Sequence, residues 1–204
     1  MFSSLILALL SPAAIAAEPA MSLTFAFEPR FGSYAALDDA LLAYDFTPVE
    51  GPALPAWGLR GRAFFEGGSF LQLAMTYGIR VSDAGAIPTV TTLTETTGGA
   101  GYRHRSGAMA SLDAGFSVLS QAVASNLEGG ALVYMGPVVH PRIGWFTQLG
   151  APFGSALAVV LGGSIQRPVG AAHSIPLWEE DFERRTVTAL TLGVESGVGL
   201  QGAE

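Results

Sequence analysis

The chain has 204 residues, 50% of them hydrophobic and only 13% charged. That length suits one domain, and so little charge is unusual for a soluble one. A net charge of −7 disfavours nucleic acid as a partner, and the absence of Cys excludes disulfides, thiol chemistry and a lipoprotein cysteine.

All ten basic residues are Arg, the cation better suited to ion pairs in a confined interior. No run reaches the roughly 18 apolar residues of a membrane helix. The closest interior run, Ala151 to Ile165, is broken by Pro152, Gly154, Gly162 and Gly163. Entry into a bilayer would therefore be by strands closed into a barrel, because the backbone must be satisfied internally there.

The N-terminus, MFSSLILALLSPAAIAA, has an apolar core from Leu5 to Leu10 and ends in the small-x-small site Ala14-Ile15-Ala16. This predicts a secretory signal peptide over 1–16, a mature chain from Ala17, and a transmembrane β-barrel domain over 17–204.

Eight strands follow in chain order. The first, Ser22 to Phe31, puts Leu23, Phe25, Phe27 and Phe31 outward and Thr24, Ala26, Glu28 and Arg30 inward. The second and third form a hairpin across Gly67-Gly68. In the second, Trp57, Leu59, Gly61, Ala63 and Phe65 alternate with Gly58, Arg60, Arg62, Phe64 and Glu66. In the third, Leu71, Leu73, Met75, Tyr77 and Ile79 alternate with Phe70, Gln72, Ala74, Thr76, Gly78 and Arg80. The fourth, Thr89 to Thr97, is Thr-rich with faces hard to tell apart. The fifth, Ala108 to Gln121, turns Ser111, Asp113, Ser117 and Gln121 inward. The sixth, within Ala131 to Gln148, sets Val139, Ile143 and Trp145 against Tyr134, His140, Arg142 and Gln148. The seventh spans Ala156 to Gln166. The eighth, Thr186 to Leu200, sets Leu190, Leu192, Val194 and Val198 against Thr191, Gly193, Glu195 and Gly197.

With the N-terminal strand starting on the periplasmic side, the outer loops are 32–56, 82–88, 122–130 and 168–185. The inner turns are 67–68, 98–107 and 149–155. Long loops outside and the tightest turn inside are what an outer-membrane barrel requires. A seven-strand count would break this parity. Gly98 to Gly101 reads as a turn; no helix follows it, so it is not a phosphate loop. Pro137 and Pro141 each remove a ladder donor and predict a bulge, or the point where the sixth strand leaves the membrane. Ser33 to Phe46 has helical spacing at Leu37, Leu41 and Tyr44 with Ser33 as N-cap, predicting a short amphipathic helix in the first outer loop.

On these residues the chain resembles the small outer-membrane β-barrels of Gram-negative bacteria, the OmpA/OmpW-like eight-stranded class. The resemblance covers Ser22 to Leu200 and rests on the leader, the strand pattern, the loop alternation and glycine-rich strands such as GLRGRAFFEGG and LTLGVESGVGL. It implies a closed antiparallel up-and-down all-β barrel. Such barrels usually end on an aromatic residue of the last strand; this chain ends GVGLQGAE, so that strand is expected to stop near Leu200 with a short tail.

The inward charges Glu28, Arg30, Arg60, Arg62, Glu66, Arg80, Asp113 and Glu195 form the most specific constellation. An Arg facing lipid near the midplane costs about 2–4 kcal/mol, so Arg60 and Arg62 together fix the register of their strand. The expected role is an Arg–carboxylate network that holds the strands and plugs the lumen; the functional alternative is a narrow ion or proton path. His104, His140 and His173 show no metal spacing and read as filler or loop residues, and no catalytic residue, metal site or cofactor is assigned. Glu179, Glu180, Asp181 and Glu183 in the fourth outer loop could bind Ca²⁺ or a basic partner, or merely keep the loop solvated. Trp57, Phe65, Tyr77 and Trp145 agree with interfacial girdles.

The expected function is a non-enzymatic outer-membrane barrel, structural or surface-interacting, with outer-membrane lipid around it and an extracellular or cell-surface ligand at its outer loops. The rivals are a lipid-modifying outer-membrane enzyme of the same fold, a narrow channel, and a soluble lipocalin-like barrel with the opposite polarity.

Overall fold

In a computed structural model, the period-two alternation is realised as eight staves. The structure describes residues 19–32, 53–82, 89–123, 130–149, 153–173 and 186–201. Its strands are β1 (Pro19–Phe27), β2 (Arg30–Gly32), β3 (Ala53–Leu54), β4 (Ala56–Phe64), β5 (Ser69–Ser82), β6 (Thr89–Arg103), β7 (Ala108–Val123), β8 (Gly130–Leu149), β9 (Phe153–Gln166), β10 (Gly170–His173) and β11 (Val187–Gln201). Every pairing is antiparallel, neighbours pair in chain order, and β1 pairs with β11, so the sheet closes on itself.

Two prolines interrupt the first two staves without shifting them. Phe27 faces Trp57 and Arg30 faces Leu54 in one register, so Pro29 sits across from Pro55. Neither can donate to the ladder. Their carbonyls still accept, from the Leu192 N–H at 3.4 Å and the Ile79 N–H at 3.1 Å. Hence β1 with β2, and β3 with β4, are single staves.

The stagger of the barrel follows from the pairings. A path across the strands from Val198 passes Leu23, Gly61, Leu73, Gly98, Ala114, Val139 and Ile165 and returns to β11 at Thr188, a shift of ten residues. At normal strand spacing and rise this tilts the strands by about 41° to the axis. On β5 the outward apolar residues run from Leu71 to Val81, which at that tilt spans about 25 Å, the height of a membrane-facing band.

Polarity is inverted relative to a soluble domain. Leu23, Phe25, Leu73, Met75, Ile143 and Val198 stand exposed, while Glu28, Arg30, Arg60, Arg62, Asp113 and Glu195 are buried. The Thr-rich segment is a full stave whose faces are distinct: Thr91, Leu93, Glu95 and Thr97 turn inward and Thr94 and Thr96 outward.

Three expectations change. Gly98 to Gly101 is not a turn. β6 runs through it to Arg103, and the inner turn is only His104 to Gly107. The glycines are there for space: a Cβ on Gly99 would lie 2.3 Å from the Leu112 carbonyl oxygen, and one on Gly101 2.3 Å from the Phe70 ring. The turn after β4 is Glu66 to Gly68, with Gly67 at φ 79°, a left-handed conformation that suits glycine. Finally, Pro137 and Pro141 do not break β8, which keeps one register against β7 from Gly130 to Trp145. The Pro137 carbonyl accepts from the Arg167 N–H, so this proline and Pro141, four residues on, turn their missing donors toward β9. The bulge belongs to that neighbour: Val169 donates to the Met135 carbonyl while Gly170 is its ladder partner. The helix expected over Ser33 to Phe46 lies outside the described residues.

Candidate functional site

The lumen side chains come from alternate residues of every stave, so the strand period alone decides which groups meet. Four guanidiniums and four carboxylates meet there: Arg30, Arg60, Arg62 and Arg142 with Glu28, Glu95, Asp113 and Glu195. All are nearly or fully buried.

Arg60 is the hub. It donates to Glu28 at 2.7 Å and, through its other terminal nitrogen, to Glu195. Arg62 grips the same Glu195 with two hydrogen bonds, at 2.7 and 2.9 Å, and Thr24 donates to it at 3.0 Å. Glu28 also accepts from Arg142 at 2.7 Å, and the Nε of Arg142 lies 3.3 Å from Asp113. Gln72 relays between strands: it accepts from the Arg62 Nε at 3.1 Å and donates to Asp113. Nearer the outer end, Arg30 donates to both oxygens of Glu95, one at 2.8 Å, and His140 Nε2 lies 3.1 Å from the same carboxylate.

Further layers bound this cluster along the axis. Toward the inner turns Phe64, Phe70, Met109, Phe146 and Val160 pack together. The Arg62 and Arg103 guanidiniums stand 5.6 and 5.8 Å from the centre of the Phe146 ring, close enough for cation–π attraction. Toward the outer end, Leu54, Leu93, Leu119 and Val138 are buried beside polar Thr91, Ser117, Gln121 and Gln166, and Gln166 donates to the Ser117 carbonyl. Chemically the arrangement is a charge-balanced, hydrogen-bonded layer with an aromatic layer on its inner side and a mixed apolar and amide layer on its outer side. Nothing in it pairs an activated nucleophile with a base.

Of the charges expected to line the lumen, Glu28, Arg30, Arg60, Arg62, Asp113 and Glu195 are brought together in these bonds. Arg80 is half-buried on the lumen side at the outer end of β5. Glu66 is a correction: β4 ends at Phe64, so Glu66 falls in the exposed turn with its carboxylate in water. Sequence reasoning left Glu95 and Arg142 out of the network, and read His140 as a filler or loop residue. Glu95 was detectable: it is the sole charge between Thr89 and Thr97, and the rule that turns Arg60 inward applies equally to it. His104 sits in an inner turn, where Ser106 Oγ lies 2.9 Å from its Nδ1, and His173 lies in β10. The acidic run Glu179, Glu180, Asp181 and Glu183 lies outside the described residues.

Fold and site together define a class, the small closed eight-stranded barrel of the outer-membrane type. No family model matches the sequence, nor does any curated protein. Among solved structures the chain is similar to Ail, the attachment invasion locus protein of Yersinia pestis, at 10% identity over 88% of this chain and 98% of that one, TM-score 0.55. Ail in complex with the heparin analogue sucrose octasulfate aligns at 10% identity over 86% and 95%, TM-score 0.52. Neisserial surface protein A gives 9% identity over 89% and 96%, TM-score 0.46. At these identities the likeness is one of fold.

Proposed function

We propose that this chain is a non-enzymatic barrel of the outer membrane, exported behind the leader 1–16, with a lumen closed by its ionic network and a role in structure or surface contact. The observation that carries this reading is the inverted polarity: an apolar belt about 25 Å high outside, and paired charges inside. A soluble lipocalin-like barrel needs the reverse. The network acts as a staple. It ties β1, β4, β7, β8 and β11 through Glu28, Arg60, Arg62, Asp113, Arg142 and Glu195, and β2 to β6 through Arg30 and Glu95. The aromatic layer on its inner side disfavours an ion path.

Contacts with the surroundings then fall to the outer connections. These carry Asp38, Asp39, Asp45, Glu50, Asp83 and Glu128 besides the acidic run at 179–183, against only Arg184 and Arg185. A rim of that sign favours a cationic partner and repels polyanions. The sulfated sugar seen with Ail is therefore not the ligand we expect here.

Fractionation of expressing cells tests the proposal. The mature protein, with its mass starting at Ala17, should be found in the outer membrane and should migrate differently in SDS before and after boiling. Detergent-free solubility would sink it.

A further inference from the structure

The lipid-facing wall is not smooth. A groove of about 620 Å³ crosses β11, β1, β4 and β5 on the outside of the barrel, walled by Met21, Leu23, Leu71, Leu73, Val198 and Leu200. Its floor is Gly61 and Ala63. Arg62, Gln72 and Ser22 contribute backbone to it, because their buried side chains turn to the lumen.

Gly61 is the telling residue. Glycine weakens a strand interior and often marks close approach by something else. The glycines at 58, 99, 115 and 197 are explained from within, because a Cβ there would strike neighbouring strands. At Gly61 a Cβ would meet nothing within 4 Å, so internal packing does not require it. The groove also has a direction. Phe25, Leu59 and Met75 stand in the next outward-facing cross-strand row toward the middle of the barrel, all three exposed to the outside. Ala63, in its floor, lies on the side of the turn at Glu66 to Gly68. Leu23 and Leu73 are two strands apart, about 10 Å between backbones. A helix, about 10 Å wide with its side chains, is too thick to enter, and a second barrel is convex.

We propose that this groove binds one acyl chain of a phospholipid from the inner, periplasmic leaflet, methyl end against Phe25, Leu59 and Met75. The groove is continuous with the apolar belt, presents no polar side chain, and lies in the half of the wall nearest that leaflet. The inference rests on the membrane reading above.

The test is lipid retention by the folded full chain. The mature protein is refolded into bilayers of palmitoyl-oleoyl phosphatidylethanolamine, extracted in mild detergent and weighed by native mass spectrometry, with heat-modifiable mobility checked on the same sample. The wild type should keep one phospholipid. Gly61→Leu fills the floor and should cut retention about tenfold while still showing the mobility shift. Gly163→Leu, outward on β9 where a Cβ makes only ordinary contact, should retain lipid as the wild type does. Ala63→Leu replaces Gly61→Leu if the latter fails to fold. Equal retention by wild type and the filled-groove variant overturns the groove. A wild type without the mobility shift overturns the membrane reading and the groove with it.

Discussion

Arg60 joins two carboxylates that have no water to turn to. Removing it leaves Glu28 held by Arg142 alone and Glu195 by Arg62 and Thr24. Breaking a buried pair from one side costs about 3–5 kcal/mol. Arg60→Ala should therefore lower the urea midpoint of the detergent-folded protein by about that free energy, while Glu66→Ala, in an exposed turn, should stay within about 0.5 kcal/mol. An unchanged midpoint for Arg60→Ala would remove the structural role of the network. At this scale the sequence was legible where charge met the cost of lipid: Arg60, Arg62, Asp113 and Glu195 could face only one way. It was illegible where partners are chosen by the staves' relative stagger. Nothing in the spacing of Glu95, His140 and Arg30 announces that they meet, because their separations of 45 and 65 residues are closed only by the barrel.

Among the strands, β6 shows how glycine misleads. Read along the chain, Gly98 to Gly101 is a cluster of turn formers. In the barrel it is the slimmest part of a stave, thinned where Asp113 and Phe70 need room. Gly99→Ala should then destabilise the barrel by about 1–3 kcal/mol through overpacking. Gly98→Ala, whose Cβ would approach nothing closer than 3.8 Å, should be neutral or mildly stabilising. Comparing their unfolding midpoints separates strand from turn: a true turn would tolerate both alike. The hairpin from β4 to β5 was readable except at Glu66, because one face is almost wholly apolar and the other carries Arg60, Arg62 and Arg80. Pro29 and Pro55 were harder, since two missing donors on facing strands look like chain breaks until the common register shows them opposite each other.

For the whole molecule, closure was legible from parity. An even number of strands, with long connections on one side and short ones on the other, returns the last strand beside the first, and β11 does pair with β1. The layering of the lumen was not, because Phe146 is far along the chain from the hairpin pair Phe64 and Phe70 and joins them only through the ten-residue shift. The filled lumen, with its aromatic layer at the inner end, predicts a silent barrel. Purified protein in a planar lipid bilayer should give no stepwise conductance, and regular steps would favour the channel reading.

The Glu195 clasp has a bearing on the order of assembly. Its carboxylate arrives on the last strand to leave the ribosome, and its partners Arg60 and Arg62 wait on the second stave, 135 and 133 residues earlier. Until the final strand docks, two guanidiniums face the nascent lumen without it, so an open sheet left in lipid is penalised electrostatically as well as by its bare edges. Sealing the cylinder and neutralising its interior are one event. Glu195→Gln should accordingly slow the appearance of the heat-resistant band during refolding, and an unaltered time course would mean that closure proceeds without that charge.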